Sequence, residues 1–201
     1  MARMGEPARK LDRPYTYADY LTWPEGERWE LIGGVAYNMS AAPTRRHQAI
    51  LGLLYFRIRS HLEGRTCKVY MSPFDVLLPE PDEPADGDVS NVVEPDIVVQ
   101  CDETKLTKSG GRGAPDLIFE ILSPSTHMKD LREKFDLYER MGVREYWVID
   151  PQGEWLNRFV RAQDGRYGEA ESRDLSFAKG PISSLVLDGF SIDPSEIFSA
   201  E

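Results

Sequence analysis

Two carboxylates sit at the ends of apolar runs, Asp96 in Glu94-Pro95-Asp96-Ile97-Val98-Val99 and Glu120 in Asp116-Leu117-Ile118-Phe119-Glu120-Ile121-Leu122. Burying an acid costs several kcal/mol unless it is paired or binds a cation, so acids in segments this hydrophobic call for a partner. Hard cations such as Mg²⁺ or Mn²⁺ take oxygen ligands and commonly use one or two carboxylates together with phosphate and water. Such an ion activates a bound water and stabilises charge on phosphoryl oxygens. A lysine, Lys134, follows on the next predicted helix, where its charge could orient the attacking water or neutralise the transition state. Two strand carboxylates and a lysine fit metal-dependent phosphodiester chemistry.

Elements positioning these residues can be read from periodicity. Asp116, Ile118 and Glu120 share one strand face, but Asp116 lies roughly 13 Å from Glu120 at ~3.3 Å per residue, too far to share an ion. Asp116 therefore reads as a strand-start acid, and Asp96 on a neighbouring strand is the partner expected for Glu120. Ser123-Pro124-Ser125-Thr126 supplies turn and N-cap residues for a helix from about His127 to Met141, closed by Gly142. Asp130, Lys134 and Tyr138 fall on one face of it, and spacing alone favours a solvated stripe.

Thr16 caps a short predicted helix, Tyr17 to Trp23. Gly33-Gly34 joins Arg28–Ile32 to Val35–Met39 as a two-residue hairpin. Ile50, Leu51, Leu54, Tyr55, Ile58 and Leu62 recur at helical spacing between Pro43 and Glu63. Lys68–Tyr70, Phe74–Leu78 and Glu145–Ile149 read as strands, and Tyr146-Trp147 as core. Asp164-Gly165 is expected to join Trp155–Val160 to Tyr167–Ala170. Ser184–Leu187 and a short helix near Pro194–Phe198 return the tail to the body. The order predicts an α/β (α+β) fold with one central mixed sheet flanked by helices.

The chain has 201 residues, 41% hydrophobic and 29% charged, the balance of a globular protein. Residues 1–14 read as an N-terminal tail and residues 15–201 as a single domain. The net charge of −10 argues against coating nucleic acid by bulk electrostatics, while leaving room for a local basic face. Pro79 to Asp88 is a proline-broken acidic loop. No apolar run approaches the ~20 residues of a membrane span and no signal segment is apparent, so no membrane partner is expected. Two thiols make neither a disulfide framework nor a zinc site, so a reducing cytoplasm is the simplest setting. Cys67 and Cys101 are expected as buried, unreactive thiols.

The longer pattern is specific in combination. It comprises Trp29-Glu30-Leu31-Ile32-Gly33-Gly34; Pro95-Asp96-Ile97; Ala114 through Thr126; Asp130 to Lys134 to Tyr138; and Gly142-Val143-Arg144-Glu145-Tyr146-Trp147-Val148-Ile149-Asp150-Pro151. Together these resemble the Uma-type family of restriction endonucleases, a branch of the PD-(D/E)XK superfamily, across nearly the whole chain. The resemblance implies a restriction-endonuclease-like core and a DNA substrate, with Asp96 and Glu120 as ligands of Mg²⁺ or Mn²⁺. Most superfamily members carry a lysine two residues after the glutamate, where this chain has Leu122. The family places it on the following helix, which implies Lys134, with Lys129 as the fallback. Glu30 matches the N-terminal acid that many members bring to the site. A homodimer that pairs two sites is expected from nucleases of this kind.

Other residues stay open. His47 could reach a phosphate or the metal water, or serve as a cap. Asp75 could be a further acid of the site or an ordinary paired strand residue. Arg45 and Arg46, with Arg57, Arg59 and Arg65, form the most basic stretch and could contact phosphate or merely solvate a helix. The competing readings are a catalytically inactive nucleic-acid-binding or assembly module of the same fold, and a metal-dependent hydrolase of another substrate.

Overall fold

A computed structural model describes residues 12–24, 26–39, 43–123, 130–176 and 180–200. The chain begins with α1 (Tyr17–Tyr20), one turn shorter than its apolar run suggests, and the hairpin β1 (Trp29–Ile32) and β2 (Val35–Asn38). Gly33 and Gly34 turn that hairpin with φ of 57° and 72°, the left-handed pair a two-residue turn requires. At Gly34 a Cβ would also lie 2.4 Å from the Pro14 side chain, so glycine admits the incoming chain.

The helix α2 (Arg45–His61) buries Ile50, Leu51, Leu54 and Ile58, as the spacing predicts. Its N-cap Thr44 accepts a hydrogen bond from the His47 amide at 3.1 Å. Short strands follow: β3 (Lys68–Met71), β4 (Asp75–Leu77), β5 (Val92–Val93), β6 (Ile97–Gln100), β7 (Gly110–Arg112) and β8 (Leu117–Ile121). A wide π-helical turn, Asp130–Lys134, runs into α3 (Phe135–Met141), which ends at Gly142 in the left-handed conformation. The chain finishes with β9 (Glu145–Asp150), β10 (Trp155–Val160), β11 (Glu171–Asp174), β12 (Ile182–Ser183), β13 (Ser191–Ile192) and α4 (Pro194–Phe198).

The single sheet expected from sequence is two larger sheets and a small ribbon. A six-stranded mixed sheet runs β11-β10-β9-β8-β6-β3, and a five-stranded sheet runs β2-β1-β5-β4-β7. Among the described residues the chain passes between them five times, twice through links of only three residues, from β3 to β4 through Ser72-Pro73-Phe74 and from β5 to β6 through Glu94-Pro95-Asp96. Proline lacks the amide that continuing a ladder would need, so both of these short crossings fall at an X-Pro pair. Asp96 thus stands where a strand leaves one sheet for the other. The later hairpin also differs: β10 pairs with Glu171–Asp174, while Tyr167 makes only an isolated bridge to Arg161.

On one face of the six-stranded sheet, α2 and the C-terminal elements pack on Ile97, Val99, Leu117, Phe119, Trp147 and Ile149. On the other face, α3 and the five-stranded sheet enclose Val98, Ile118, Tyr146 and Val148. Tyr146 and Trp147 are both fully buried, as expected of core residues. The cysteines differ from expectation: both are half-buried, and a Cys67–Cys101 disulfide staples the start of β3 to the end of β6. They lie one step beyond the Lys68–Gln100 pair of an antiparallel ladder, so strand register delivers the two sulfurs to each other. Among the described residues no helix is long and apolar enough to cross a membrane.

Candidate active site

Strand pairing places the two acids. β6 and β8 are antiparallel with Ile97 opposite Phe119, so the next step sets Asp96 opposite Glu120. Register thus brings Asp96, the residue just before β6, alongside the Glu120 end of β8. Asp96 is fixed by its Oδ2, which accepts the Ile121 amide at 2.7 Å. Glu120 is 3% exposed and faces α3.

Lys134 ends the wide turn and enters this space. Its Nζ lies 2.7 Å from Glu120 Oε1 and 2.8 Å from Glu30 Oε1, and the residue is 1% exposed. An isolated ammonium would not be tolerated here; two carboxylates within hydrogen-bond distance offset its desolvation. One helical turn on, the Tyr138 hydroxyl donates to the same Glu120 oxygen at 2.8 Å. Burial raises the Tyr138 phenol well above its usual range and the Glu120 charge adds to this, so it remains a donor. The solvated stripe favoured by spacing is therefore a buried face. Its polar residues point inward because Glu120 is there to receive them. The side chain of Asp130 lies outside the described residues.

Glu30 projects from β1 on the face opposite Trp29 and Leu31, and its Oε1 also accepts the Glu94 amide at 3.0 Å. His47, in the first turn of α2, brings Nε2 to 3.3 Å from Asp96 Oδ2. Exposure rises from floor to mouth: the side chains of Glu30 and Lys134 are 0% and 2% exposed, and those of His47 and Asp96 9% and 17%. Asp96 and His47 therefore stand at the open end of the cluster.

The other sequence candidates go elsewhere. Asp75 lies on the opposite face of the five-stranded sheet. There the Tyr20 hydroxyl spans it and Glu94 at 3.4 Å to each, while Arg28 holds Glu94 at 2.5 Å. Burial, and next the Glu94 charge, push the Asp75 carboxyl up to about 6. Glu94, Arg28 and Tyr20 were not singled out in the sequence. Glu94 was the one open to detection, as an acid closing the apolar β5 beside Pro95. Arg46 is tied to Glu154 at 2.6 Å and to the Phe198 carbonyl, while Arg45 is exposed. Lys129 lies outside the described residues. Asp116 accepts the Cys101 amide and pairs with Arg144, as a strand-start acid should. Leu122, at the superfamily's usual lysine position, is buried against α3.

Among the described residues no three His, Cys, Asp or Glu side chains form a ready-made metal cage. The opposed pair Asp96 and Glu120 does fit a hard ion that keeps part of its shell for water and phosphate.

The mixed α+β fold thus gathers Glu30, Asp96, Glu120 and a lysine from the turn after β8 at one place. Residues 17–195 match the Uma2 family, described as a putative restriction endonuclease, and the chain belongs to that family. A protein of Synechocystis described only as uncharacterized is 27% identical over 175 residues, covering 80% of this chain and 86% of that one. The crystal structure of a putative nuclease from Anabaena variabilis superposes with a TM-score of 0.71 at 21% identity, over 92% of this chain and 98% of that one, and shares the fold.

Proposed function

We propose that this chain is a divalent-metal-dependent endonuclease that hydrolyses DNA phosphodiester bonds, its residues 15–201 forming one catalytic unit. The observation that carries the reading is Lys134, buried between Glu30 and Glu120 beside the opposed Asp96. Mg²⁺ or Mn²⁺ on Asp96 and Glu120 would acidify a bound water and stabilise charge on the phosphoryl oxygens.

The chain's own residues set the geometry of that step. Glu30 and Glu120 fix the Lys134 ammonium from two sides, so its positive charge is preorganised where negative charge grows on the phosphoryl group. Tyr138 holds the Glu120 carboxylate in plane, and His47 steadies Asp96 from the α2 side. Hydrolysis joins the water oxygen to phosphorus, breaks one P–O ester bond, and delivers a proton to the departing sugar oxygen. Two copies related by a two-fold axis would cut both strands.

Titration calorimetry with Mg²⁺ and Mn²⁺, followed by cleavage of supercoiled plasmid, tests the reading. Binding and cleavage in wild type that Asp96→Ala and Glu120→Ala abolish, with circular dichroism unchanged, is the expected result. No ion binding with or without DNA, and no cleavage, would replace it with the inactive binding module. Sedimentation of the wild type checks the dimer.

A further inference from the structure

The five arginines in and after α2 separate into two groups. Arg46 pairs with Glu154, Arg57 with Glu196, and Arg65 donates to the Asp188 carbonyl, so these three bind the helix to the body. Arg45 and Arg59 are exposed and have no ion-pair partner among the described residues. They fall on one outward stripe with Gln48, Gly52 and Phe56, all exposed. Positions 45, 48, 52, 56 and 59 follow the three- and four-residue steps of a single helix face. Fourteen residues at ~1.5 Å each separate the two cations by about 21 Å. The first carboxylate on that line is Glu63, beyond the helix end.

Three features of this stripe run against what an isolated helix prefers. The first turn of α2 holds no acid and begins with two arginines, at the end where the helix dipole favours negative charge. Phe56 is 65% exposed. Gly52 sits mid-helix, where glycine is unfavourable relative to alanine, although a Cβ there would meet nothing within 4 Å. Packing therefore does not demand the glycine. Helical side chains lean toward the N-terminus, so Phe56 lies over the turn that Gly52 leaves bare. The result is an accessible aromatic face with a cation on either side, in a chain whose net charge is −10.

We infer that the outer face of α2 is a track for an unpaired nucleic-acid strand, with Arg45 and Arg59 on its phosphates and Phe56 beneath a base. Cations that follow the backbone and an aromatic platform for a base are what single-strand binding requires. The charge is complementary; Arg45 and His47 share the first turn of α2 but stand about 200° apart around it, so a strand on the outer face would reach the candidate site around the helix N-terminus. The inference rests on the nuclease reading only for the site from which the track leads. It gives that site a substrate preference: DNA with an unpaired segment, such as an end, flap or gap.

Fluorescence anisotropy of the full-length chain in EDTA, with labelled oligothymidylate of about 20 nucleotides and a matched duplex, tests it. Phe56→Ala should weaken single-strand binding about tenfold, within the range of one lost stack, and leave its salt dependence unchanged. Arg45→Ala with Arg59→Ala should weaken it further and reduce the slope of log K against log salt by about 1.4, the value for two phosphate contacts on a single strand. Gly52→Leu, which favours the helix but fills the seat beside Phe56, should weaken it as Phe56→Ala does. Wild-type affinity for the single strand in all three variants would overturn the track, as would equal losses on duplex and single strand after Phe56→Ala. Ion binding remains an independent readout. If these variants are silent while Asp96→Ala abolishes ion binding, the track fails and the nuclease reading stands. If they weaken strand binding in a chain that binds no ion, the track stands and the nuclease reading fails.

Discussion

Glu120 and Glu145 lie on neighbouring parallel strands, both almost fully buried, and are held in opposite ways. Among the described residues Glu145, at the start of β9, accepts only from neutral donors. These are the Trp147 indole at 2.6 Å, the Ser184 hydroxyl at 2.9 Å, and the Leu185 and Val186 amides at 2.9 and 2.8 Å. It pins the turn before β13 to the edge of the core. Glu120, near the end of β8, is met by the Lys134 ammonium and the Tyr138 phenol, and it has an acid on the opposing strand. Backbone amides make a carboxylate an anchor, because they cannot leave without unfolding the turn. An ammonium beside opposed acids is a charge arrangement that an ion and a phosphate can enter. Burial of an acid therefore does not mark a site; the nature of its donors does.

That contrast can be broken by substitution. Lys134→Met should lower kcat/KM for plasmid cleavage at least about 10³-fold, or about 4 kcal/mol of transition-state stabilisation, measured in single-turnover assays. Retained activity would remove Lys134 from the chemistry. Glu145→Ala should do the reverse, costing about 3–5 kcal/mol of stability by leaving buried donors unpaired, while the folded fraction binds Mn²⁺ as wild type does. Urea denaturation and calorimetry separate the two effects.

The Asp75 cluster gives a third case, a half-buried carboxyl with no ion pair of its own among the described residues. Its folded-state value of about 6 exceeds the ordinary 3.8, so the native state holds this proton more tightly than the unfolded chain does. The associated stability is present below about pH 4 and is lost as pH rises through 6. The two-unit difference corresponds to about 2 kcal/mol after allowance for solvent screening. Asp75→Asn should flatten the difference, read from urea midpoints at pH 4, 5, 6 and 7; parallel curves for variant and wild type would show that Asp75 does not titrate in this range. The smallest effect is expected at Tyr138→Phe. It should cost about 1 kcal/mol of stability, the net value of one hydrogen bond, and weaken ion binding several-fold through a less fixed Glu120. Unchanged ion affinity would reduce Tyr138 to a packing residue.

Local rules carried the element reading far. The apolar period of α2, the Gly33-Gly34 turn, the buried Tyr146-Trp147 strand and the strand acids Asp96 and Glu120 were all visible as short-range patterns. The failures share a cause. The stripe of Lys134 and Tyr138 reads as solvated unless Glu120 is known to face it. Asp75 and Glu30 both read as strand acids, yet they lie on opposite faces of one sheet. The second strand of the later hairpin shifted to Glu171–Asp174 because pairing with β10, and not the turn, decides where the ladder resumes.

The sequence by itself determined most of the longer strands and helices, where prolines and glycines interrupt them, and which carboxylates had to find a partner. Those properties depend on periods of two and 3.6 residues and on backbone sterics, all of short range. Only the tertiary structure decided that the strands divide into two sheets, and that Lys134 meets Glu120 and a glutamate over a hundred residues earlier. It also decided that, among the described residues, Arg45 and Arg59 of α2 have no ion-pair partner while Arg46 and Arg57 are bound to the body. These outcomes turn on register and on how faces pack, and a one-residue slip would send the same side chains to the other side of the sheet.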